Sequence, residues 1–76
     1  MDDISSMGIM VFPNPTDNTL NIQTHLSITY ELRDMMGKLI LTGKDKSLEL
    51  EQYEDGVYVL TLIYKEKKFS KRIIKQ

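Results

Sequence analysis

The stretch "VYVLTLIY", residues 57–64, is the most apolar segment of the chain, and it decides the fold class. Apolar β-branched and aromatic residues occupy both alternating sets of positions, so both faces of a strand formed here would be apolar. Leu60 and Leu62 are two residues apart, whereas the apolar face of a helix repeats every three or four residues. The segment therefore predicts a central β-strand that is covered on both sides.

Shorter segments on both sides of this strand alternate apolar and polar residues, which is typical of half-buried strands. Polar turns separate them at residues 34–38, 43–46 and 54–56. The segment from 27 to 42 predicts a β-hairpin in which Gly37 adopts the positive φ of the turn. The chain as a whole predicts an all-β fold, an Ig-like β-sandwich of about seven short antiparallel strands, at residues 9–12, 20–23, 28–33, 38–42, 47–51, 57–64 and 68–75.

Both prolines of the chain lie in "FPNP", residues 12–15, where they bracket one asparagine. Pro13 and Pro15 lack a backbone N–H and restrict the residues before them to extended conformations, so this peptide cannot lie in the middle of a sheet. The polar residues 16–18 favour turns in which side chains bond to nearby backbone. We expect a stiff corner that ends the first strand and directs the second.

Composition limits the functions that the chain can have. Its 76 residues form one domain, and the absence of cysteine excludes disulfides and thiolate metal sites. A net charge of -1 argues against a nucleic-acid partner. The basic residues cluster at the end of the chain, in residues 65–76, where Glu66 is the only acidic residue. No apolar run is long enough to span a membrane, and the acidic start "MDDISSMGIM" does not resemble a signal peptide.

The residues needed for catalysis are scarce. His25 is the only histidine and lies in a short predicted loop, and no serine has the flanking glycines of a nucleophile elbow. A metal site with two histidines is excluded, and neither a calcium-binding loop nor a phosphate-binding glycine loop is present. Glu49 and Glu51 belong to the solvated face of a strand. We therefore expect no enzyme activity, no cofactor and no metal.

Four motifs follow one another along the chain: "FPNP", "DMMGK", "EDGVYVL" and, at the end, "FSKRIIKQ". Each is weak alone, but their order and spacing resemble the type A C-terminal sorting domain of proteins exported by the type IX (Por) secretion system of Bacteroidota. The resemblance covers residues 11–76. The matching positions are Pro13, Asn14 and Pro15 in the first motif, Asp34, Gly37 and Lys38 in the second, Gly56 and Tyr58 in the third, and Lys71, Arg72, Ile73, Ile74 and Lys75 in the fourth.

The resemblance implies that the domain is a signal for export rather than a catalytic domain. Residues 1–8 would be the remnant of a flexible linker and residues 9–76 the sorting domain, preceded by a cargo protein. The cargo would reach the periplasm and then pass through the outer-membrane secretion machinery to the outer membrane, the cell surface or the extracellular space. A sortase-like signal peptidase would cut within residues 2–8, and the cargo would be anchored at the surface or released.

The basic segment 71–75 is the expected recognition site for this machinery. A strand-forming, basic terminus offers both an edge for strand addition and a charge pattern for a partner. From the residues alone, the same lysines also fit a solvated edge strand whose charges deter aggregation. An open edge strand would in addition allow a weak dimer.

An Ig-like adhesion or carbohydrate-binding module of a surface protein is the alternative function. Such modules bind sugars through exposed tryptophan or tyrosine side chains, and this chain has no tryptophan. Tyr58 and Tyr64 lie on the same face of a predicted strand. If both were exposed side by side, the binding-module interpretation would be favoured.

Overall fold

The structure, a computed structural model, describes residues 8–76, which form seven β-strands and no helix. The strands are β1 (Met10–Phe12), β2 (Thr19–Gln23), β3 (Thr29–Asp34), β4 (Leu39–Gly43), β5 (Ser47–Glu49), β6 (Gly56–Tyr64) and β7 (Lys67–Lys75). The predicted all-β sandwich is confirmed. Within this range no helix could cross a membrane. The predicted linker comprises residues 1–8, and of these only Gly8 belongs to the described residues.

Two antiparallel sheets form the sandwich. The three-stranded sheet has the order β1-β2-β5, and the four-stranded sheet has the order β4-β3-β6-β7. The predicted hairpin is present, because β3 and β4 pair, with a register shift between Leu32 and Arg33. The β6 and β7 strands pair without a shift from Gly56 opposite Lys75 to Tyr64 opposite Lys67. In this order β7 is the edge strand of the four-stranded sheet.

The β6 strand has the predicted central position, between β3 and β7, but its two faces differ. Tyr58, Leu60 and Leu62 are buried between the sheets. The alternate positions, such as Val59 and Ile63, are only half-buried, because no element within residues 8–76 forms a third layer over the outer face of the sheet. The expectation that both faces are covered was therefore wrong for the outer face.

The core lies between the sheets and consists of the inward-facing residues of both. Burying one leucine or isoleucine side chain contributes about 1.5–3 kcal/mol, so this layer provides most of the stability of a chain without disulfides. Leu48 and Leu50 both face inward, as the alternation predicted, although β5 already ends at Glu49. The buried hydrophobic residues are Ile9, Leu20, Ile22, Ile28, Tyr30, Leu32, Leu48, Leu50, Tyr58, Leu60, Leu62 and Ile73.

Candidate recognition surface at one end of the sandwich

The four sequence motifs meet at one end of the sandwich, although they are far apart along the chain. In the four-stranded sheet Asp34 pairs with Tyr58, Tyr58 pairs with Ile73, and Gly56 pairs with Lys75. A parallel bridge joins Thr16, directly after the proline corner, to Lys75. We call this region the motif end; it comprises residues 13–18, 34–38, 50–58 and 72–76.

The proline corner docks on the outer edge of β7. The Asn14 Nδ2 donates a hydrogen bond of 2.9 Å to the carbonyl oxygen of Arg72, and the Ile74 N–H donates one of 3.1 Å to Asn14 Oδ1. One side-chain amide thus donates and accepts as a backbone peptide group does in a ladder. The Thr16 N–H donates to the Ile74 carbonyl at 2.8 Å, and the Gln76 N–H donates to the Thr16 carbonyl at 2.8 Å. The corner therefore covers the terminal half of the β7 edge.

The expected corner is confirmed, since β1 ends at Phe12 and β2 begins at Thr19. The peptide bonds before Pro13 and Pro15 are both cis. Its contact with β7 was not expected from the sequence, because Asn14 and its partners are separated by 58 and 60 residues. No local pattern indicates a contact at that separation.

The second motif forms the turn of the β3–β4 hairpin. Asp34 Oδ1 accepts hydrogen bonds of 2.9 Å from the N–H groups of both Met36 and Lys38. Gly37 has a φ of 88°, as predicted for the turn, and its N–H donates to the Asp34 carbonyl at 3.0 Å. The side chain of Lys38 is exposed. Asp34 and Gly37 thus hold the turn, while Lys38 contributes through its backbone.

The third motif places a tyrosine against the turn that precedes it. Gly56 has a φ of 154°, which favours glycine at the start of β6. Two residues later the Tyr58 ring is buried, and its hydroxyl donates to the carbonyl oxygen of Glu54. This arrangement resembles the tyrosine corner of Ig-type sandwiches. Burial raises the pKa of Tyr58; nearby Glu54 raises it further, while Lys75 opposes the rise.

The residues of the fourth motif lie partly in the core and partly on the surface. Ile73 and Lys75 face inward and are buried, Lys71 is half-buried, and Arg72 and Ile74 are exposed on the outer face. Lys75 Nζ lies 3.0 Å from Asp55 Oδ1, with 8% of the lysine side chain and 71% of the aspartate side chain exposed. Among the predicted recognition residues, only Arg72 and Ile74 are therefore exposed.

Two residues at the motif end were missed in the sequence. Thr16 is buried, and its Oγ1 donates to the Thr19 carbonyl at 2.8 Å while its backbone pairs with β7. The sequence feature that pointed to Thr16 was its position directly after "PNP". Asp55 partners Lys75, but a turn aspartate and a lysine 20 residues later carry no spacing signal that could have revealed the pair.

The opposite end of the sandwich, which we call the linker end, consists of residues 8–9, 24–28, 43–46 and 64–68. A shallow depression of about 520 Å³ there is lined by His25, Lys44, Lys46 and Lys65, among others. Lys46 Nζ donates to the carbonyl oxygens of Leu26 and Thr24 at 2.7 and 3.2 Å and so joins two loops. His25 lies in a loop, as predicted, and is exposed.

The observation that would favour a carbohydrate-binding module is not met in residues 8–76. Tyr58 is buried and Tyr64 is half-buried, so the two do not form an exposed pair. Tyr30 is also buried, and Tyr53 is half-buried against the core. None of these tyrosines offers an open platform on which a sugar ring could stack.

Comparison with known proteins identifies the domain. Residues 10–76 match the protein family described as the secretion system C-terminal sorting domain. No curated protein matches the chain. Domains of this family are tails of cargo proteins handled by the type IX secretion machinery, and the signal implies export across the outer membrane toward the cell surface or extracellular space. The family is not a known enzyme family. Because the match extends from β1 to the last residue, the chain belongs to the family of type IX secretion C-terminal sorting domains.

Proposed function

We propose that this domain directs an attached cargo protein through the type IX system, and that the motif end is the surface by which the outer-membrane machinery recognises it. The observation that carries the proposal is the convergence of all four family motifs on that end. Three of them form turns or edge contacts that fix the backbone there. Such a fixed surface suits recognition by a partner, because little conformational freedom is lost on binding.

The direction of the chain supports this assignment. Gly8 and Ile9 precede β1 at the linker end, whereas β7 ends at the motif end. A strand of nine residues is roughly 30 Å long, so the two ends are separated by about that distance. A cargo that precedes the domain would attach at the linker end. The motif end would then remain accessible even beside a large cargo.

Within the motif end, the outer face of β7 is the part that a partner would contact. Arg72 and Ile74 combine an exposed charge with an exposed apolar side chain. Buried Ile73 and Lys75 would act indirectly, by holding β7 in place. We extend the proposal to the later steps: residues 1–8 are the linker, a sortase-like protease cleaves there, and the cargo is anchored at the surface or released.

The experiment fuses residues 2–76 to the C-terminus of a periplasmic reporter in a host with a working type IX system. We expect the reporter on the cell surface or in the medium. Replacing Arg72 and Ile74 with serine should lower its surface fraction several-fold, while the matched replacement of exposed Leu39 and Lys44, which lie outside the motif end, should not. Each purified domain is first checked for the wild-type unfolding midpoint. Equal export of folded variants would overturn the role of Arg72 and Ile74, and periplasmic retention of the intact fusion would overturn the sorting function.

A further inference from the structure

The edge of β7 is covered over only half of its length. The N–H and C=O of Ile74 and the C=O of Arg72 point away from β6 and bond to the proline corner. Residues two apart on a strand point the same way, and the β6–β7 register has no shift. The backbone groups of Lys68 and Ser70 therefore also point outward. Within residues 8–76 these outward groups have no hydrogen-bond partner.

We infer that this open half of β7, residues 67–72, accepts an extended acidic segment of a partner protein as an added strand. The backbone groups of Lys68 and Ser70, with the N–H of Arg72, offer the ladder that a new strand requires. The inference rests on the proposed function for the source of the partner, which would be the secretion machinery. It adds a second contact on β7, which adjoins the motif end at Arg72, and it gives the binding mode and the charge of the segment bound there.

The charge of the open half of β7 determines which kind of segment it binds. Lys67, Lys68, Lys71 and Arg72 lie along the open half, and Glu66 in the preceding turn is the only carboxylate within residues 65–72. Lys68 and Arg72 lie on the outer face of β7, and Lys67 and Lys71 on the opposite face, so both faces of the open half are basic. An acidic strand would pair with these cations, whereas two β7 edges would bring two such sets together at the 4.7–4.9 Å spacing of neighbouring strands. This repulsion disfavours the predicted weak dimer at the β7 edge. It favours a partner of opposite charge.

A proline at position 70 tests the edge selectively. Because the Ser70 N–H points away from β6, Ser70→Pro removes an outward donor but no donor of the β6–β7 ladder, and edge strands tolerate proline at such positions. Ser70→Ala is the matched control, since both changes remove the 3.1 Å contact between the hydroxyls of Ser70 and Thr61. Only the proline variant should block strand addition.

The measurement is amide hydrogen exchange by NMR in the presence of a capped peptide that alternates glutamate and valine. We expect the peptide to slow exchange at Lys68, Ser70 and Arg72 by about tenfold or more in the wild type. Ser70→Ala should behave in the same way. In Ser70→Pro the protection at Lys68 and Arg72 should be lost. A peptide that alternates lysine and valine should protect none of these amides.

A charge variant keeps the test decisive if Ser70→Pro does not fold. Replacing Lys67 and Lys68 with glutamate should abolish protection by the acidic peptide, whereas the same replacement at Lys38 and Lys44, away from this edge, should preserve it. The inference is overturned if the acidic peptide gives no protection, if folded Ser70→Pro is protected equally, or if both charge variants respond alike. Protection that appears in the free domain as its concentration rises would identify a second copy as the occupant and would also overturn it.

These outcomes are independent of the export assay. A failure with the peptide, while the intact fusion still reaches the cell surface, removes the strand-addition mode and leaves the sorting function in place. Retention of the intact fusion in the periplasm removes the sorting function itself.

Discussion

The side-chain amide of Asn14 pairs with β7 through one donated and one accepted hydrogen bond, and so joins the first family motif to the last. At the residue scale this contact explains why an asparagine stands between two prolines. Its neighbours cannot donate from their backbone nitrogens, so the side chain provides the donor that the edge of β7 requires.

Asn14→Ala should lower the free energy of unfolding by about 1–3 kcal/mol, because two hydrogen bonds are lost and each contributes roughly 0.5–1.5 kcal/mol net. Urea denaturation of the purified domain measures this. Asn21→Ala is the control, since its side chain makes a single 3.4 Å bond to the Phe12 carbonyl, and it should cost about 0.5 kcal/mol or less. Equal losses in both variants would contradict the proposed importance of the contact.

Tyr58 is the second residue whose side chain fixes a turn. Tyr58→Phe keeps the buried ring but removes the donor to the Glu54 carbonyl, so we expect a loss of about 1 kcal/mol in the free energy of unfolding. Tyr64→Phe is the matched control, because no hydrogen bond involving the Tyr64 hydroxyl is seen within residues 8–76. It should be close to neutral.

The raised pKa of Tyr58 predicts a pH dependence. Folding favours the neutral phenol, so its contribution to stability is fully present below the usual tyrosine pKa of 10.0 and is lost as the pH rises through the higher pKa of the folded state. The free energy of unfolding should therefore fall more steeply above pH 10 in the wild type than in Tyr58→Phe. Tyr30, whose pKa is also raised by burial, remains in both proteins. Parallel curves would contradict this account.

At the scale of elements, the alternation of apolar and polar residues was sufficient to predict the strands, but it did not predict how far each strand face is buried. The "VYVLTLIY" segment predicted the central β6, yet its apolar outer positions are only half-buried, because strand periodicity does not report the number of layers. The motif residues were identified, but their convergence depends on strand order. The contacts of Asn14 with β7 and of Lys75 with Asp55 join residues that no local period relates.

The β7 strand is both a recognition candidate and part of the core, which affects truncation experiments. Deleting residues 69–76 removes buried Ile73 and half-buried Phe69, together with most of the ladder to β6. We expect the shortened domain to be unfolded, since burial of one large side chain contributes about 1.5–3 kcal/mol and small domains have little stability in reserve. Circular dichroism and NMR spectra check this, and native-like spectra would contradict it.

Across the whole molecule, charge and chain direction separate the two ends. Acidic residues concentrate at the motif end, which holds Asp17, Asp34, Glu51, Glu54 and Asp55. Basic residues concentrate at the linker end and the adjoining start of β7, which hold Lys44, Lys46, Lys65, Lys67 and Lys68. Lys38, Arg72 and Lys75 offset part of the acidic charge at the motif end, which has five acidic and three basic residues, and Asp45 and Glu66 offset part of the basic charge at the linker end, which has five basic and two acidic residues. The nearly neutral total thus hides a difference in charge between the two ends, and such a field helps to align a charged partner before contact.

The most direct test of the sorting function compares one fusion in two otherwise identical hosts, with and without a working type IX system. The reporter carries residues 2–76 at its C-terminus, and its surface and extracellular fractions are measured by protease accessibility of intact cells and by assay of the medium. We predict export in the competent host and periplasmic retention in the deficient one. Retention in both hosts, while an established sorting domain exports the same reporter from the competent host, would contradict the account.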